Sequence, residues 1–279
     1  MPGETVIGGS FFMNAGGKGA NQAVAAARLG GNIVFICKTG DDIFGQQAKD
    51  LFNKEGIDTR FVLTDATQPS GVALITVDEK GENCIAVASG ANAALQPADI
   101  KQAHATIEAS AIILIQLEIP LETVSYIASI AEAKKIKLVL NPAPACELPD
   151  ELLSKIAIIT PNESEAEKLT GIKVTDHATA ALAAQALKEK GIATVIITMG
   201  AQGVLLFHEN KFTHIASVKV EAVDTTAAGD VFNGALAVAL AEGKEMEAAV
   251  SFACKAAAIS VTRLGAQASA PYRNEVDVL

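Results

Sequence analysis

In the second half of the chain, short apolar runs alternate with segments whose apolar residues recur every three or four positions. Residues 111–117 form one such run; 121–134 carry Leu121, Val124, Ile127, Ala128 and Ala131 at helical spacing; 136–140 and 156–160 are apolar again. Strand-length runs separated by amphipathic helices predict βα units, and each crossover favours parallel neighbours with helices packed on both faces. Residues 180–190 form a strong helix that stops at Gly191. The predicted class is α/β: a three-layer α/β/α sandwich around a mostly parallel central sheet, with function at the carboxyl ends of the strands.

The first third has a different period. Residues 71–78 (GVALITVD), the charged turn Glu79-Lys80-Gly81-Glu82 and residues 84–88 read as a β-hairpin, with residues 6–12 as a further strand beside it. Lid strands are therefore placed at about 4–14 and 70–90, although an ordinary sheet edge would show the same pattern.

Composition narrows the function classes. Half of the 279 residues are hydrophobic and 19% are charged, as in a folded enzyme or binding protein. A formal net charge of -10 without clustered Lys and Arg excludes a duplex nucleic-acid binder. The apolar runs are strand-sized, far short of the roughly 20 residues a membrane span needs, and no secretory signal opens the chain. Cys37, Cys84, Cys146 and Cys254 lack any C-x-x-C spacing and read as buried thiols in a reducing cytoplasm. The four histidines, His104, His177, His208 and His214, are equally scattered, so no zinc site is expected.

The strongest chemical signal is Asp224-Thr225-Thr226-Ala227-Ala228-Gly229-Asp230, which reads as a loop entering a helix that runs on through Val231-Phe232-Asn233-Gly234. Small residues at Ala227, Ala228 and Gly229 leave first-turn N–H groups open to an anion, and Asp230 in that turn can take a proton from an incoming hydroxyl. Taken alone, the segment also suits an Asp-capped helix with a packing glycine. The second signal is Gly16-Gly17-Lys18-Gly19-Ala20-Asn21, leading to Arg28-Leu29-Gly30. Gly19 stands where a Walker loop needs Ser or Thr, and the dinucleotide spacing fails as well. One cation and one amide at a helix start suit a polyhydroxylated ligand, as a tight turn before an Ala-rich helix also does. Three weaker pieces follow predicted strands: Gln116-Leu117-Glu118, Pro161-Asn162-Glu163-Ser164-Glu165, and Thr198-Met199-Gly200-Ala201-Gln202-Gly203. Each has a structural explanation, as a solvated acid, an acidic first turn or a hairpin, and their shared position raises the joint case for a site.

Together these segments resemble the ribokinase branch of the carbohydrate kinase family. GGKGANQAVAAARLG is similar to its first signature and DTTAAGDVFNGALAVAL to its second, with PGETV, GANAAL, LNPAPA, ITPNESEAEKLTG and VTRLGAQAS in support. The resemblance implies a single catalytic domain over 1–279 that moves the γ-phosphate of ATP to the 5-hydroxyl of D-ribose. Deoxyribose or another sugar is the alternative substrate, and a non-catalytic binding remnant the alternative class.

The resemblance also implies roles. Asp230 would be the base; Ala227, Ala228 and Gly229 the anion hole; Gly17, Lys18, Gly19, Ala20, Asn21 and Glu118 the sugar contacts. Asn162, Thr198, Met199, Gly200, Ala201, Gln202, Gly203, Gly229, Asp230 and Cys254 would meet ATP, and Glu165 would organise Mg2+ through water. K+ would sit near Asp224, Thr226, Ser260, Arg263, Gly265 and Ser269. The β-layer would close over the sugar and pair with its counterpart in a homodimer. The family's opening strand, which carries two further sugar ligands, has no match ahead of Met1-Pro2-Gly3-Glu4, and the end at Val278-Leu279 reads as short. A trimmed or incomplete version of a longer chain is therefore expected.

Overall fold

A computed structural model describes Gly9 and residues 13–77 and 83–279; the expected strand at 6–12 and the hairpin turn at 79–82 lie outside them. Ten strands are described: β1 Cys37–Gly40, β2 Val62–Asp65, β3 Val72–Val77, β4 Asn83–Ala88, β5 Ile112–Ile115, β6 Lys137–Leu140, β7 Ile158–Ile159, β8 Thr194–Thr198, β9 Val204–His208 and β10 Lys211–Ile215. The main sheet has the order β10-β9-β8-β7-β6-β5, parallel from β5 to β8 and antiparallel from β8 to β10. Helices Leu121–Lys134 and His177–Glu189 fall where the spacing predicted them.

Alternate residues of each strand serve opposite layers. Leu138 and Leu140 of β6, with Val195 and Ile197 of β8, pack with Val124, Ile127, Ala183 and Leu187 on one face. Val139, Ile158 and Ile196 face the other way, against Val231, Ala235, Leu236, Val250 and Ala253 of helices Ala228–Ala241 and Met246–Ser260. A sheet buried on both sides is what a continuous apolar run demands, and the three-layer expectation holds. One feature was not expected. Among the described residues β1 and β2 pair parallel with each other as a separate two-stranded sheet.

The 71–78 and 84–88 reading emerges as β3 and β4, an antiparallel ribbon with Leu74 opposite Ala86 and Ala73 opposite Val87. Successive residues point to opposite faces, and Leu74 and Val87 are 65% and 63% exposed, so each face of the ribbon presents apolar surface. Its base is tied down. The Ser70 N–H and hydroxyl both donate to the Asp42 carboxylate at 2.7 Å, the Gly40 N–H donates to the Ser70 hydroxyl at 3.0 Å, and the Ala91 N–H donates to the Pro69 carbonyl at 2.8 Å.

The buried-thiol expectation holds for Cys254 but not for Cys146, which is exposed, nor fully for Cys37, which is half-buried. Cys146 follows the Asn141–Pro144 turn into a loop before the short Asp150–Leu153 helix, where no strand or helix face covers it. Burial pushes the Cys37 and Cys254 thiols up to about 12, so neither is a thiolate at neutral pH.

Candidate active site

The two glycine-bearing signals meet through their helices. Lys18–Arg28 is an 11-residue, Ala-rich helix that starts from Gly17, whose φ of 95° is comfortable only without a Cβ. Ala228–Ala241 starts from Ala227, an alanine held at φ 61° in the left-handed region. The Ala228 N–H turns back to the Thr225 carbonyl, and the first full helical bond runs from Val231 to Ala227. The N–H groups of Gly229 and Asp230 precede that bond, at the positive end of the helix dipole. These helices touch at Gly234, where a Cβ would lie 2.6 Å from the Gln22 carbonyl oxygen.

That contact places Asp230 between neighbouring amides. Asn21 donates from Nδ2 to Asp230 Oδ2 at 2.8 Å, and Gln22 donates from Nε2 to Oδ1 at 2.9 Å. Asp230 is 6% exposed, and burial pushes its carboxyl above the usual range; the two amides and the Lys18 charge oppose that push. The Asn21 Oδ1 is buried without a partner, a free acceptor beside Asp230. Beside it the Lys18 backbone N–H donates to Glu118 Oε2 at 2.9 Å, which ties the glycine turn to the end of β5. Gly19 packs with no room to spare, since a Cβ there would come within 2.9 Å of Gln116 Oε1. Ala20 is half-buried beside Val24 and Phe52.

The polar residues that end successive strands join the hydrogen bonds around this cluster. Gln116 follows β5, Asn141 follows β6 and Thr160 follows β7. Asn141 Oδ1 accepts the second Gln22 N–H at 3.0 Å, and Gln116 Nε2 donates to Gln22 Oε1. Thr160 donates to Asn233 Oδ1 at 2.7 Å, and Asn233 Nδ2 donates to the Gly229 carbonyl at 2.8 Å, fixing the turn that carries Ala227, Ala228 and Gly229. Gln22, Asn141 and Asn233 were not singled out from sequence. Their signal was adjacency: Gln22 follows Asn21, Asn141 is the second residue of LNPAPA, and Asn233 lies three residues after Asp230.

Most of the nucleotide candidates sit beyond β7 and β8; Gly229, Asp230 and Cys254 lie on helices instead. Asn162 caps helix Glu163–Thr170 by accepting the Glu165 N–H, while Glu165 accepts the Asn162 N–H, and Asn162 bridges Thr198 at the end of β8. Between β8 and β9, Met199 donates to the Gly203 carbonyl across Gly200, Ala201 and Gln202. Gly203 has φ 87°, and a Cβ there would lie 2.3 Å from the Ile215 carbonyl. Met199 and Cys254 are buried, Cys254 inside the apolar cluster of helix Met246–Ser260.

The remaining candidates form a separate loop pair. Asp224 accepts the Thr226 and Gly265 N–H groups, one on each oxygen, at 2.9 Å. Ser260 and Ser269 are fully buried, their hydroxyls donating to the Ala257 and Ala266 carbonyls, and Arg263 pairs with Glu275. Gln267, buried in the same loop, donates to the Gly16 carbonyl at 3.4 Å and so joins these loops to the glycine turn.

Comparisons with known proteins bear on the family and the fold. The profile of the pfkB family of carbohydrate kinases matches residues 2–273. The chain is 50% identical over 274 residues to a ribokinase of Haemophilus influenzae, covering 98% of this chain and 90% of that protein. It is 39% identical over 270 residues to a deoxyribokinase of Salmonella typhi, covering 96% and 88%. The structure of Arabidopsis thaliana ribokinase complexed with ribose and ATP superposes with a TM-score of 0.95 at 30% identity, covering all of this chain and 91% of that one.

Proposed function

The chain belongs to the pfkB family of carbohydrate kinases, and from that premise we propose that it transfers the γ-phosphate of ATP to the 5-hydroxyl of D-ribose, giving D-ribose 5-phosphate and ADP. The observation that carries the reading is the meeting of Asn21 and Asp230, 209 residues apart, in one buried hydrogen bond beside Lys18 and Glu118. A sugar hydroxyl placed there gives its proton to the Asp230 carboxylate as its oxygen attacks the γ-phosphorus. The bond from phosphorus to the bridging oxygen breaks, and ADP leaves with that electron pair. Of the anion-hole candidates Ala227, Ala228 and Gly229, the Ala228 N–H is already given to the Thr225 carbonyl, so the Gly229 N–H, with that of Asp230 beside it, would meet the charge that gathers on the transferring phosphoryl, and Lys18 and Asn21 would hold neighbouring hydroxyls. Residues 198–203, Asn162 and Cys254 would hold the nucleotide.

The charge of the site fits a metal–nucleotide complex. Burial raises the carboxyls of Glu118, Glu165 and Asp230 together, with Lys18 the cation that acts on all three. Mg2+ bound to ATP, with Glu165 beside it through water, would supply the missing positive charge and draw charge off the phosphates. K+ would sit between the 224–226 and 260–269 loops, which Asp224 already holds together through Gly265. Free thiols at Cys37, Cys146 and Cys254 support a reducing cytoplasm as the location, and no helix among the described residues is long and apolar enough to cross a membrane.

The β3–β4 ribbon would be the lid, one face over the sugar and the other against a second copy. Leu74→Asp is expected to shift the protein from dimer to monomer in sedimentation at micromolar concentration. A parent that is already monomeric, or a variant that stays dimeric, would remove the ribbon from the interface.

The direct test is ADP release with Mg2+, with and without K+, over D-ribose, deoxyribose and a panel of hexoses. D-ribose is expected to show the highest kcat/KM. Preference for deoxyribose would move the chain toward the deoxyribokinase it is 39% identical to, and ATP binding without turnover on any sugar would leave only a binding remnant.

A further inference from the structure

We propose that Gln22 is a positioning residue that anchors one oxygen of Asp230, so that the other is the one presented to the sugar hydroxyl, and that Gln116 and Asn141 set which way the Gln22 amide points. This rests on Asp230 being the base.

The polarity of the chain of amides follows from the carboxylate. An ionised Asp230 only accepts, so the Gln22 atom 2.9 Å from Oδ1 must be its nitrogen. The second N–H of that nitrogen faces Asn141 at 3.0 Å, which must therefore offer Oδ1, and the Gln22 oxygen meets Gln116, which must offer Nε2. Turning the Gln22 amide over would set its oxygen against two acceptors and its N–H groups against a donor. Gln22 is 1% exposed and Asn141 6%, so no solvent softens that penalty.

Asn21 is differently placed. It gives Nδ2 to Asp230 Oδ2 at 2.8 Å but leaves its own Oδ1 buried and unpartnered. Its Oδ1 remains open to a sugar hydroxyl, and the carboxylate oxygen that Asn21 holds, Oδ2, is then the one beside that hydroxyl. Gln22 is wholly committed to protein partners and stays on Oδ1. The two amides thus divide the carboxylate into a held oxygen and a working one.

Gln22→Met keeps the length of the side chain and removes both donors. It is expected to lower kcat on the order of 10- to 100-fold, as loss of a hydrogen bond to a charged group does, with KM for the sugar changed much less. The acid limb of the kcat profile should move to higher pH, because the ionised form of Asp230 loses a donor that favours it. Lys18, on the same helix as Gln22, Glu118 beyond β5 and Glu165 on helix Glu163–Thr170 face Asp230 unchanged in the variant, so the shift reports Gln22. Gln22→Glu should move the limb further and recover activity at alkaline pH, since two facing carboxyls hold a shared proton. Should Gln22→Met not fold, Gln116→Met frees the amide to turn and should give the same signs at smaller size. Folded variants with parental kcat and acid limb, or a loss confined to KM, would overturn the proposal. Asp230→Asn separates the two levels: a variant that keeps parental turnover sinks the base assignment itself, whereas its inactivity beside a parental Gln22→Met sinks only the role of Gln22.

Discussion

Asp230→Asn is expected to lower kcat by about 10²- to 10⁴-fold, the usual contribution of a positioned base, without lowering thermal stability. The stability half follows from the direction of the carboxyl shift. Burial raises the folded-state pKa of Asp230 above its unfolded value, so the folded protein binds that proton more tightly. Stability contributed by the protonated form is complete below the unfolded pKa and is lost as pH rises through the window up to the folded one. At neutral pH the parent therefore carries the cost of an ionised buried carboxylate, and the amide does not. Melting temperatures of the two proteins measured from pH 4 to 8 should converge in acid and separate toward neutrality, with the variant at or above the parent. A variant that melts well below the parent at neutral pH, or one whose kcat stays within tenfold, would contradict this account.

Gly234 carries the second large effect. A Cβ there would meet the Gln22 carbonyl oxygen at 2.6 Å, the Ala25 methyl at 2.9 Å and the Ala26 nitrogen at 3.0 Å. Two of these are backbone atoms of a helix, so relief requires the two helices to part. Alanine in a helix interior gains about 1 kcal/mol over glycine, whereas overpacking costs about 1 to 3 kcal/mol, and the rigid neighbours place this site at the upper end. Gly234→Ala should therefore lose about 2 kcal/mol in denaturant titration and Gly234→Val more. Because the same contact sets Gln22 against Asp230, kcat should fall along with stability. An alanine variant as stable as the parent would show that the helices are not held at this separation by Gly234.

The α/β order, the ribbon and the glycine turns were legible because each has its own local period or residue type. Leu121–Lys134 shows its helical spacing without reference to any partner, and β3 and β4 show theirs. Lys18, Asn21 and Asp230 could be singled out because a cation, an amide or an acid in a glycine-rich setting signals chemistry locally; Glu118, weak by itself, gained weight only from its place after a strand and from the family resemblance, and the structure brings all four together. Gln22 and Asn141 could not. An amide is chemically bland until its partner is known, and here the partners lie 119 and 208 residues away in sequence. The exposure of Cys146 and the separate pairing of β1 with β2 were hidden for the same reason, since each depends on what other segments cover or leave uncovered.

The seam of Asp42, Ser70, Gly40 and Ala91 at the base of the ribbon bears on how binding energy is used. Fixing one residue's backbone costs about 1 to 2 kcal/mol, so a loop that had to order itself around a sugar would consume much of what a few hydroxyl contacts provide. A two-stranded unit already paired and pinned at its root has little left to order. If the ribbon is the lid proposed above, its closure would be nearly a single rotation, and the contacts made on arrival would remain available to hold the acceptor oxygen in line with phosphorus.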